Sequence, residues 1–499
     1  MNKSIITNLG FVLQTAGILI ILPIIFSFYY KEEQASIALL LTSFSFFSIG
    51  FMMNALSERK ELDFKSSCVL VTLTFFIISL IGAIPYLYLG IFNTGNFLDN
   101  FISSYFESIS GYTTTGFSLI QNVESLPKSI ILYRSLTQWI GGIGIVYLIL
   151  AFFYSEGVLN NLLEAIGFRR ILSKIKHSML EVIFIYSIYT IISFSVLYFL
   201  GLKDVVNNLS LIFSSIATGG FSPVSNLLDL GSQIIVLVIL MMVFGGTSFY
   251  IHHSIFFRRW KNLKSSEFLL FLFIIVSFST FVYFYFGYDL VTSLFHVTSA
   301  LTGTGFSFID VSSLESKLKI IMILLMFTGG CYFSTTAGIK IFRVLVLFKS
   351  IGYVVRKKLY GSGSLEIDGK TVTDTDIIFS LLTICVSILI IFASSLIFTF
   401  SGYDFINSLF ECTSALSNAG LSTKLVSLEL SPLLKSLLII LMGIGRVEVM
   451  IFLIAVFRFK TLRTEEIKEE AKPTKTLEIE KTKKEDQNLK NFVETVIDF

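Results

Sequence analysis

The chain has little charge and few of the residues that cross-link or arm a soluble protein. Charged residues fill only 15% of its 499 positions, and the formal net charge is +3. A balance so near neutral says little about partners, and no nucleic-acid partner is implied. The four cysteines, Cys68, Cys331, Cys385 and Cys412, lie far apart without a CxxC, which argues against a disulfide framework or a metal site. Of the four histidines, His252 and His253 fall at the end of a long apolar segment and His296 in a short one; metal ligation is not expected at any of them. No phosphate-loop lysine follows a glycine run and no dinucleotide fingerprint is present, so control by a nucleotide has to come from a partner. No small-residue cleavage site follows the first apolar run, Leu9 to Tyr30, and a second begins at Ala35. The pair reads as an uncleaved transmembrane hairpin.

Apolar side chains are what the sequence has in abundance. They make up 54% of it, with 52 phenylalanines, and the mean hydropathy is +0.79. These values define an integral membrane protein. Spans of about twenty apolar residues fall near 9–30, 36–56, 67–90, 130–153, 180–201, 232–257, 267–287, 318–346, 376–401 and 434–457. Basic residues follow the even-numbered spans: Arg59, Lys60 and Lys65; Arg169, Arg170, Lys174 and Lys176; Arg258, Arg259, Lys261 and Lys264; Arg356, Lys357 and Lys358; Arg458, Lys460 and Arg463. Both termini are therefore expected on the cytoplasmic side.

Four stretches of small and hydroxyl residues then stand in the extracytoplasmic connections. They end at Gly116-Phe117-Ser118, Gly220-Phe221-Ser222, Gly305-Phe306-Ser307 and Gly420-Leu421-Ser422. Sixteen residues before the last three glycines stand Asp204, Asp289 and Asp404, and before the first stands Asn100, beside Asp99. The offsets mark an internal repeat. Each connection reads as a short helix dipping into the membrane, then a non-helical strand, which is tolerated at that depth only when buried in protein or lining a wet path. Two spans separate consecutive copies, so all four enter from one side, an arrangement suited to a pore.

A cation crossing a bilayer exchanges its hydration shell for fixed oxygens, and rings of backbone carbonyls supply them. Glycine permits the backbone to aim successive carbonyls inward and leaves the axis clear. Thr113, Thr114, Thr115, Thr218, Thr302, Thr304 and Ser417 can anchor the strands or add oxygens. A single copy reads more readily as a helix-packing motif; four copies with matched offsets favour the pore. Glu107 and Glu411, each nine residues before its glycine, either attract cations to the mouth or serve packing and hydrogen bonding.

From the first span to Arg463 the chain resembles the Trk, Ktr and HKT superfamily of K⁺ transporters. The resemblance rests on the glycine stretches and on two further segments: Arg134-Ser135-Leu136-Thr137-Gln138-Trp139-Ile140-Gly141-Gly142-Ile143-Gly144, and Gly329-Gly330-Cys331-Tyr332-Phe333-Ser334-Thr335-Thr336-Ala337-Gly338-Ile339-Lys340. The extra N-terminal hairpin points to the Trk branch, whereas the Leu-Ser ending of the fourth copy is closer to Ktr. The resemblance implies a K⁺ selectivity filter at Thr115-Gly116, Gly219-Gly220, Thr304-Gly305 and Ala419-Gly420, flanked by Thr113, Thr114, Thr218, Thr302, Gly303, Ser417 and Asn418. Potassium would bind to carbonyls, without a covalently bound cofactor. Glycine in the first copy argues for K⁺ over the Na⁺-selective members. The fourth copy departs at Leu421 and Asn418.

The resemblance also implies a gating loop at 329–338, including Gly329, Gly330, Ser334, Thr335, Thr336, Ala337 and Gly338, with Arg446 as a pore-facing barrier beneath the filter. A charge at that depth costs about 2.5–3.5 kcal/mol on insertion scales and needs a cavity or a partner. Glu448 reads as a structural partner, and Lys340 and Arg343 as snorkelling residues at the cytoplasmic edge. By resemblance the partners are a second copy of the chain and a cytosolic ring of nucleotide-binding subunits of the RCK type, with 169–176 and 356–358 as docking surfaces. The setting would be a bacterial inner membrane.

The expected fold is all-α and integral to the membrane, with four parallel span, pore-loop, span repeats in pseudo-four-fold arrangement behind an N-terminal hairpin. The segments are 1–60 for the hairpin, 61–165, 166–262, 263–358 and 359–463 for the repeats, and 464–499 for a charged tail that reads as disordered. A hairpin of strands is expected within 365–373. Na⁺ transport or Na⁺/K⁺ symport on the same fold is the nearest alternative. An intramembrane enzyme using Arg446, Glu448 and His252 is disfavoured, because the recurring residues are Gly, Ser and Thr.

Overall fold

A computed structural model describes residues 3–56, 62–143, 175–258, 263–360, 364–368 and 370–457. The tail expected over 464–499, the second half of the fourth span and the basic residues Arg169, Arg170 and Lys174 lie outside the described residues.

The N-terminal hairpin is α1 Lys3–Leu19, α2 Ile21–Tyr29 and α3 Glu33–Asn54. Pro23 has no N–H for the carbonyl of Leu19, and the first span is interrupted just there. α1 and α3 touch backbone to backbone: a Cβ on Gly10 would lie 2.5 Å from the Gly50 oxygen, and one on Gly50 2.6 Å from that of Gly10. Small residues permit that approach. The carboxylate of Glu32 then accepts from the amides of Lys128 at 2.6 Å and Ser129 at 3.0 Å, joining the hairpin to the start of a later helix.

The remaining helices follow in order. First come α4 Phe64–Gly82, α5 Ile84–Tyr88, α6 Phe97–Tyr112, α7 Lys128–Ile143 and α8 Ile175–Phe199. Then come α9 Val205–Ile216, α10 Ser232–Gly246, α11 Phe249–Phe256, α12 Ser266–Phe286, α13 Leu290–Thr302, α14 Ser316–Thr328 and α15 Ile341–Tyr360. Strands β1 Leu365–Ile367 and β2 Lys370–Val372 pair antiparallel as the expected hairpin, with Leu365 opposite Val372 and Asp368 in the turn at φ 52°. The Asp368 carboxylate caps α12 through the Ser266 amide and, at 2.6 Å, its hydroxyl. Helices α16 Asp374–Phe400, α17 Phe405–Leu416, α18 Pro432–Val447 and α19 Val449–Val456 complete the described chain.

Among the described residues five segments are long and apolar enough to cross a membrane, and seven if α10 with α11 and α18 with α19 each count as one bent span. The two bent spans fall where the sequence has the apolar runs 232–257 and 434–457. Each bends by 104°. In the first, the carbonyls of Gly245 and Gly246 that a continuing helix would use are taken by the amides of Thr335 at 3.2 Å and Cys331 at 2.9 Å. In the second, Glu448 adopts φ 74°, a left-handed conformation that stops a helix.

The short helices α6, α9, α13 and α17 are capped by side chains of Asn96, Asp204, Asp289 and Asp404. The three aspartates at the constant offset are thus helix caps. In the first copy Asn100 is not: α6 begins a turn earlier, and Asn100 instead accepts from the Thr94 amide at 2.8 Å.

Lysines near the starts of the helices that follow the glycine stretches tie these short helices together. Lys128 of α7 pairs with Asp204, the cap of α9. Lys319 of α14 donates to Asn407 of α17 at 3.0 Å. Lys435 of α18, fully buried, reaches Asp99 of α6 at 2.8 Å, Ser103 at 3.0 Å and the Leu428 carbonyl at 2.8 Å. Removing one partner of a buried pair leaves an uncompensated charge. Lys435→Met is therefore expected to destabilise the protein by about 3 kcal/mol. Lys357→Met, which opens the exposed pair with Asp374, should leave stability nearly unchanged. Thermal unfolding in detergent compares them, and equal losses would contradict the clasp.

Candidate functional site

The four short helices end at Tyr112, Ile216, Thr302 and Leu416, about a turn before Gly116, Gly220, Gly305 and Gly420. The backbone then follows one pattern in all four copies. The amides of Thr115, Gly219, Thr304 and Ala419 donate to the carbonyls of Ser110, Ser214, Ser299 and Ser414 at 2.8–2.9 Å. Thr114, Thr218, Gly303 and Asn418 are left-handed, with φ between 49° and 64°. The glycine two residues on is left-handed again, with φ of 86°, 82°, 83° and 73° in chain order.

The strands meet in a closed cycle. A Cβ on Gly116 would overlap the carbonyl oxygen of Gly219, one on Gly220 that of Thr304, one on Gly305 that of Ala419, and one on Gly420 that of Thr115. All eight candidate filter residues are thus brought to one place. Of the flanking residues, Thr113 and Thr302 each pair their hydroxyl with that of Thr115 or Thr304 at 2.7 Å, so the first and third copies match closely. Asn418 does something else: its amide donates at 2.8 Å to the Thr115 hydroxyl and at 2.8 Å to the Met442 carbonyl. Ser417 caps the end of α17.

Glu107 and Glu411 act in hydrogen bonding and lie away from solvent. Glu107 is wholly buried, accepts from Arg134 at 2.7 Å and Ser118 at 2.9 Å, and takes the Leu119 amide at 3.0 Å. Glu411 accepts from Ser422 at 2.8 Å and the Thr423 amide at 2.7 Å. His296 holds the same position in the third copy, its Nε2 facing the Phe308 amide at 3.4 Å and the Ser307 hydroxyl at 3.3 Å. Like the two glutamates it stands nine residues before its glycine, and that spacing is the signal that identifies it. His252 is also fully engaged, with Nδ1 on the Tyr189 hydroxyl and Nε2 on the Phe244 carbonyl, both at 2.9 Å.

Residues 329–340 interrupt the eighth span between α14 and α15. Thr335 presses against the second strand, its hydroxyl 3.1 Å from that of Thr218 and 2.9 Å from the Gly245 carbonyl. A Cβ on Gly330 would meet the Thr336 side chain at 2.8 Å, and Ser334 and Thr336 share a 2.8 Å hydrogen bond. Gly329 and Gly338 are left-handed and face each other, a Cβ on Gly329 falling 2.5 Å from the Ala337 oxygen.

Arg446 sits in the last turn of α18 and donates to the Thr335 carbonyl at 2.8 Å, the Thr114 hydroxyl at 3.0 Å, and the carbonyls of Gly141 and Gly142. It therefore ties the interrupted span and the first strand to α7. Two expectations about neighbouring charges change. Lys340 and Arg343 are buried and do not snorkel: Lys340 bonds the Thr336 carbonyl, and Arg343 pairs with Glu448 at 2.5 Å. Glu448 is a structural partner, as read from the sequence, and its partner is Arg343 at the start of α15.

A cavity of about 220 Å³ opens over Gly220, Gly305 and Gly420. Asp310 and Lys424 line it and pair at 2.6 Å. The hydrogen bond from Lys424 holds the Asp310 carboxyl down at about 2, so this carboxylate stays charged at any ordinary pH. No group of histidine, cysteine or acidic residues fit to hold a metal occurs among the described residues.

Left-handed glycines stacked on carbonyls at the ends of short buried helices, in a multi-pass helical chain, fit the architecture of a membrane cation-transport protein. Sequence comparison agrees. The family model described as TrkH, cation transport protein, matches residues 39–283 and 263–469, and the chain belongs to that family. An uncharacterised cation transporter of Methanocaldococcus jannaschii is 34% identical over 482 residues, covering 92% of this chain and 97% of the relative. The Trk system potassium uptake protein TrkH of Escherichia coli is 25% identical over 462 residues, with 87% and 94% covered. The crystal structure of the potassium transporter TrkH from Vibrio parahaemolyticus shares the fold, with a TM-score of 0.80 at 24% identity, covering 92% of this chain and 99% of that one.

The glycine geometry separates strain from collision. Gly287 is left-handed, and a Cβ added to it would meet nothing within 4 Å, whereas Gly305 is left-handed and stacked on the Ala419 oxygen. Gly287→Ala is expected to cost about 1 kcal/mol, the conformational term alone. Gly305→Ala should cost about 3 kcal/mol, since backbone on both sides must shift. Unfolding in detergent measures both, and equal losses would contradict the close stacking.

Proposed function

We propose that the chain takes up potassium across a bacterial inner membrane through a selectivity filter built by one polypeptide from four parallel repeats, with the boundaries expected from sequence. The observation that carries this reading is the closed cycle in which each left-handed glycine rests on the carbonyl oxygen of the next strand. Alternation of hand along each strand is the conformation that turns consecutive carbonyls toward one axis. Such oxygens replace the hydration shell of an entering ion. The short helices act as pore helices: their C-terminal ends, with the partial negative charge of the helix dipole, lie just before the filter and favour a cation there. The names of relatives, potassium uptake proteins among them, support K⁺ as the ion.

Beneath the filter, residues 329–338 and Arg446 form the gate. The bonds from Arg446 to Thr335, Gly141 and Gly142 support this, because they hold a positive charge and a backbone segment together under the strands. Opening breaks the bond to Thr335 and draws the loop aside, which also removes an electrostatic barrier to cations. Both termini are cytoplasmic, consistent with the basic residues that follow the even-numbered spans. The chain dimerises, and a cytosolic ring of nucleotide-binding subunits supplies the control that its own sequence lacks.

Purified protein in liposomes tests the reading. K⁺ offered alone should enter, and Na⁺ offered alone should enter more slowly. Arg446→Ala should raise K⁺ flux about ten-fold, equivalent to removing a barrier of about 1.4 kcal/mol. Na⁺ passing faster than K⁺ would overturn the choice of ion, and unchanged flux in Arg446→Ala would overturn the barrier. Growth rescue of a K⁺-uptake-deficient bacterium at limiting K⁺, with and without the ring subunit, tests the physiological role.

A further inference from the structure

In three copies a buried side chain of the short helix, nine residues before the glycine, receives the amide three residues after it. Glu107 takes Leu119, His296 takes Phe308 and Glu411 takes Thr423. The second copy has neither half of this device. Leu211 stands where the acceptor should be and Pro223, which has no N–H, where the donor should be. Its strand is held by a residue from elsewhere in the chain. Gln138 of α7, wholly buried, donates from Nε2 to the Gly219 carbonyl at 2.5 Å and accepts at Oε1 from the Phe221 amide at 3.0 Å.

This clamp accounts for a feature that the sequence leaves unexplained. The residue before the filter glycine is Thr115, Thr304 or Ala419 in the other copies but Gly219 here. A Cβ on Gly219 would lie 2.5 Å from the Gln138 side-chain carbon and 2.6 Å from its oxygen. Gln138 fills the space that a side chain would need.

The bonded oxygen belongs to the cycle itself, since Gly219 O is the atom on which Gly116 stacks. Among the described residues no side chain donates to its counterparts on Thr115, Thr304 and Ala419. We propose that Gln138 is a specificity-determining residue, acting on the filter through Gly219 and Phe221; the proposal rests on the transport reading above. A hydrogen bond shares the lone-pair density of the carbonyl and lowers the field it presents to an ion, and it also fixes where that oxygen stands. Field strength and number of carbonyls govern the choice between K⁺ and Na⁺. A weaker, fixed oxygen disfavours the smaller ion.

The test is the K⁺/Na⁺ permeability ratio of the full chain in planar bilayers, for wild type, Gln138→Met, Gly219→Ala and the double variant. Gln138→Met keeps the length of the side chain and loses both hydrogen bonds. Its ratio is expected to fall about five-fold, the worth of one such bond, while K⁺ still passes. Gly219→Ala displaces the amide and should lower the ratio similarly, and the double variant should fall no further, because both changes remove one interaction. A wild-type ratio in Gln138→Met overturns the proposal, as do losses that add in the double variant. If Gln138→Met does not fold, a wild-type ratio in Gly219→Ala overturns it. A wild-type protein that passes neither cation overturns the transport reading and this proposal together, whereas normal K⁺ passage with unchanged ratios overturns this proposal alone.

Discussion

Backbone that leaves the helix inside a membrane has to find a partner for each amide and carbonyl, because an orphan there costs several kcal/mol and no lipid can supply the bond. The four glycine-bearing strands are built around that requirement. Their first amides return to serine carbonyls in the short helices, and later ones go to buried Glu107, His296 and Glu411, or in the second copy to Gln138. With the amides committed, the carbonyls of Thr115, Thr304 and Ala419 carry no side-chain bond among the described residues, and these are the atoms against which the glycines stack. Satisfying the donors and sparing the acceptors is thus one arrangement serving two ends.

The same accounting governs the broken spans. Gly245 and Gly246 give their carbonyls to amides of the interrupted eighth span, so one helix bends because another is open. Arg446 and Arg343 are tolerated where they stand because each is ringed by oxygens: carbonyls and a hydroxyl for the first, Glu448 and the Ile339 carbonyl for the second. A charge buried this way adds little net stability, yet removing one partner strands the other.

Much of this is legible in the sequence. The glycine repeats, the capping aspartates of three short helices, the N-terminal hairpin and the interruption at 329–338 all leave a pattern in residue type and spacing. What cannot be read there depends on contacts between distant segments. Glu448 is two residues from Arg446, and helical geometry gives no hint that its partner is Arg343. The bends at 247 and 448 follow from carbonyls recruited by another span and from a left-handed glutamate, neither of which has a local signature. Gln138 lies within a motif that the sequence displays, yet its role becomes visible only beside Leu211 and Pro223. Asn100 shows the opposite case, a spacing that fits three copies and fails in the first because α6 starts early.

The lysine clasps join the first copy to the second, the third to the fourth and the fourth to the first. α10, which follows the second copy, carries no lysine, and among the described residues the junction between the second and third copies has no such tie. That junction is fastened instead from the opposite face, by Thr335 on Thr218, Cys331 on Gly246 and Phe249 on Phe333. The ring therefore behaves like a bracelet with three riveted joints and one latched joint, and the latch is the interrupted span itself. Residues 329–340 thus fasten the one seam that has no lysine clasp, and the three clasps make none of their contacts with this segment.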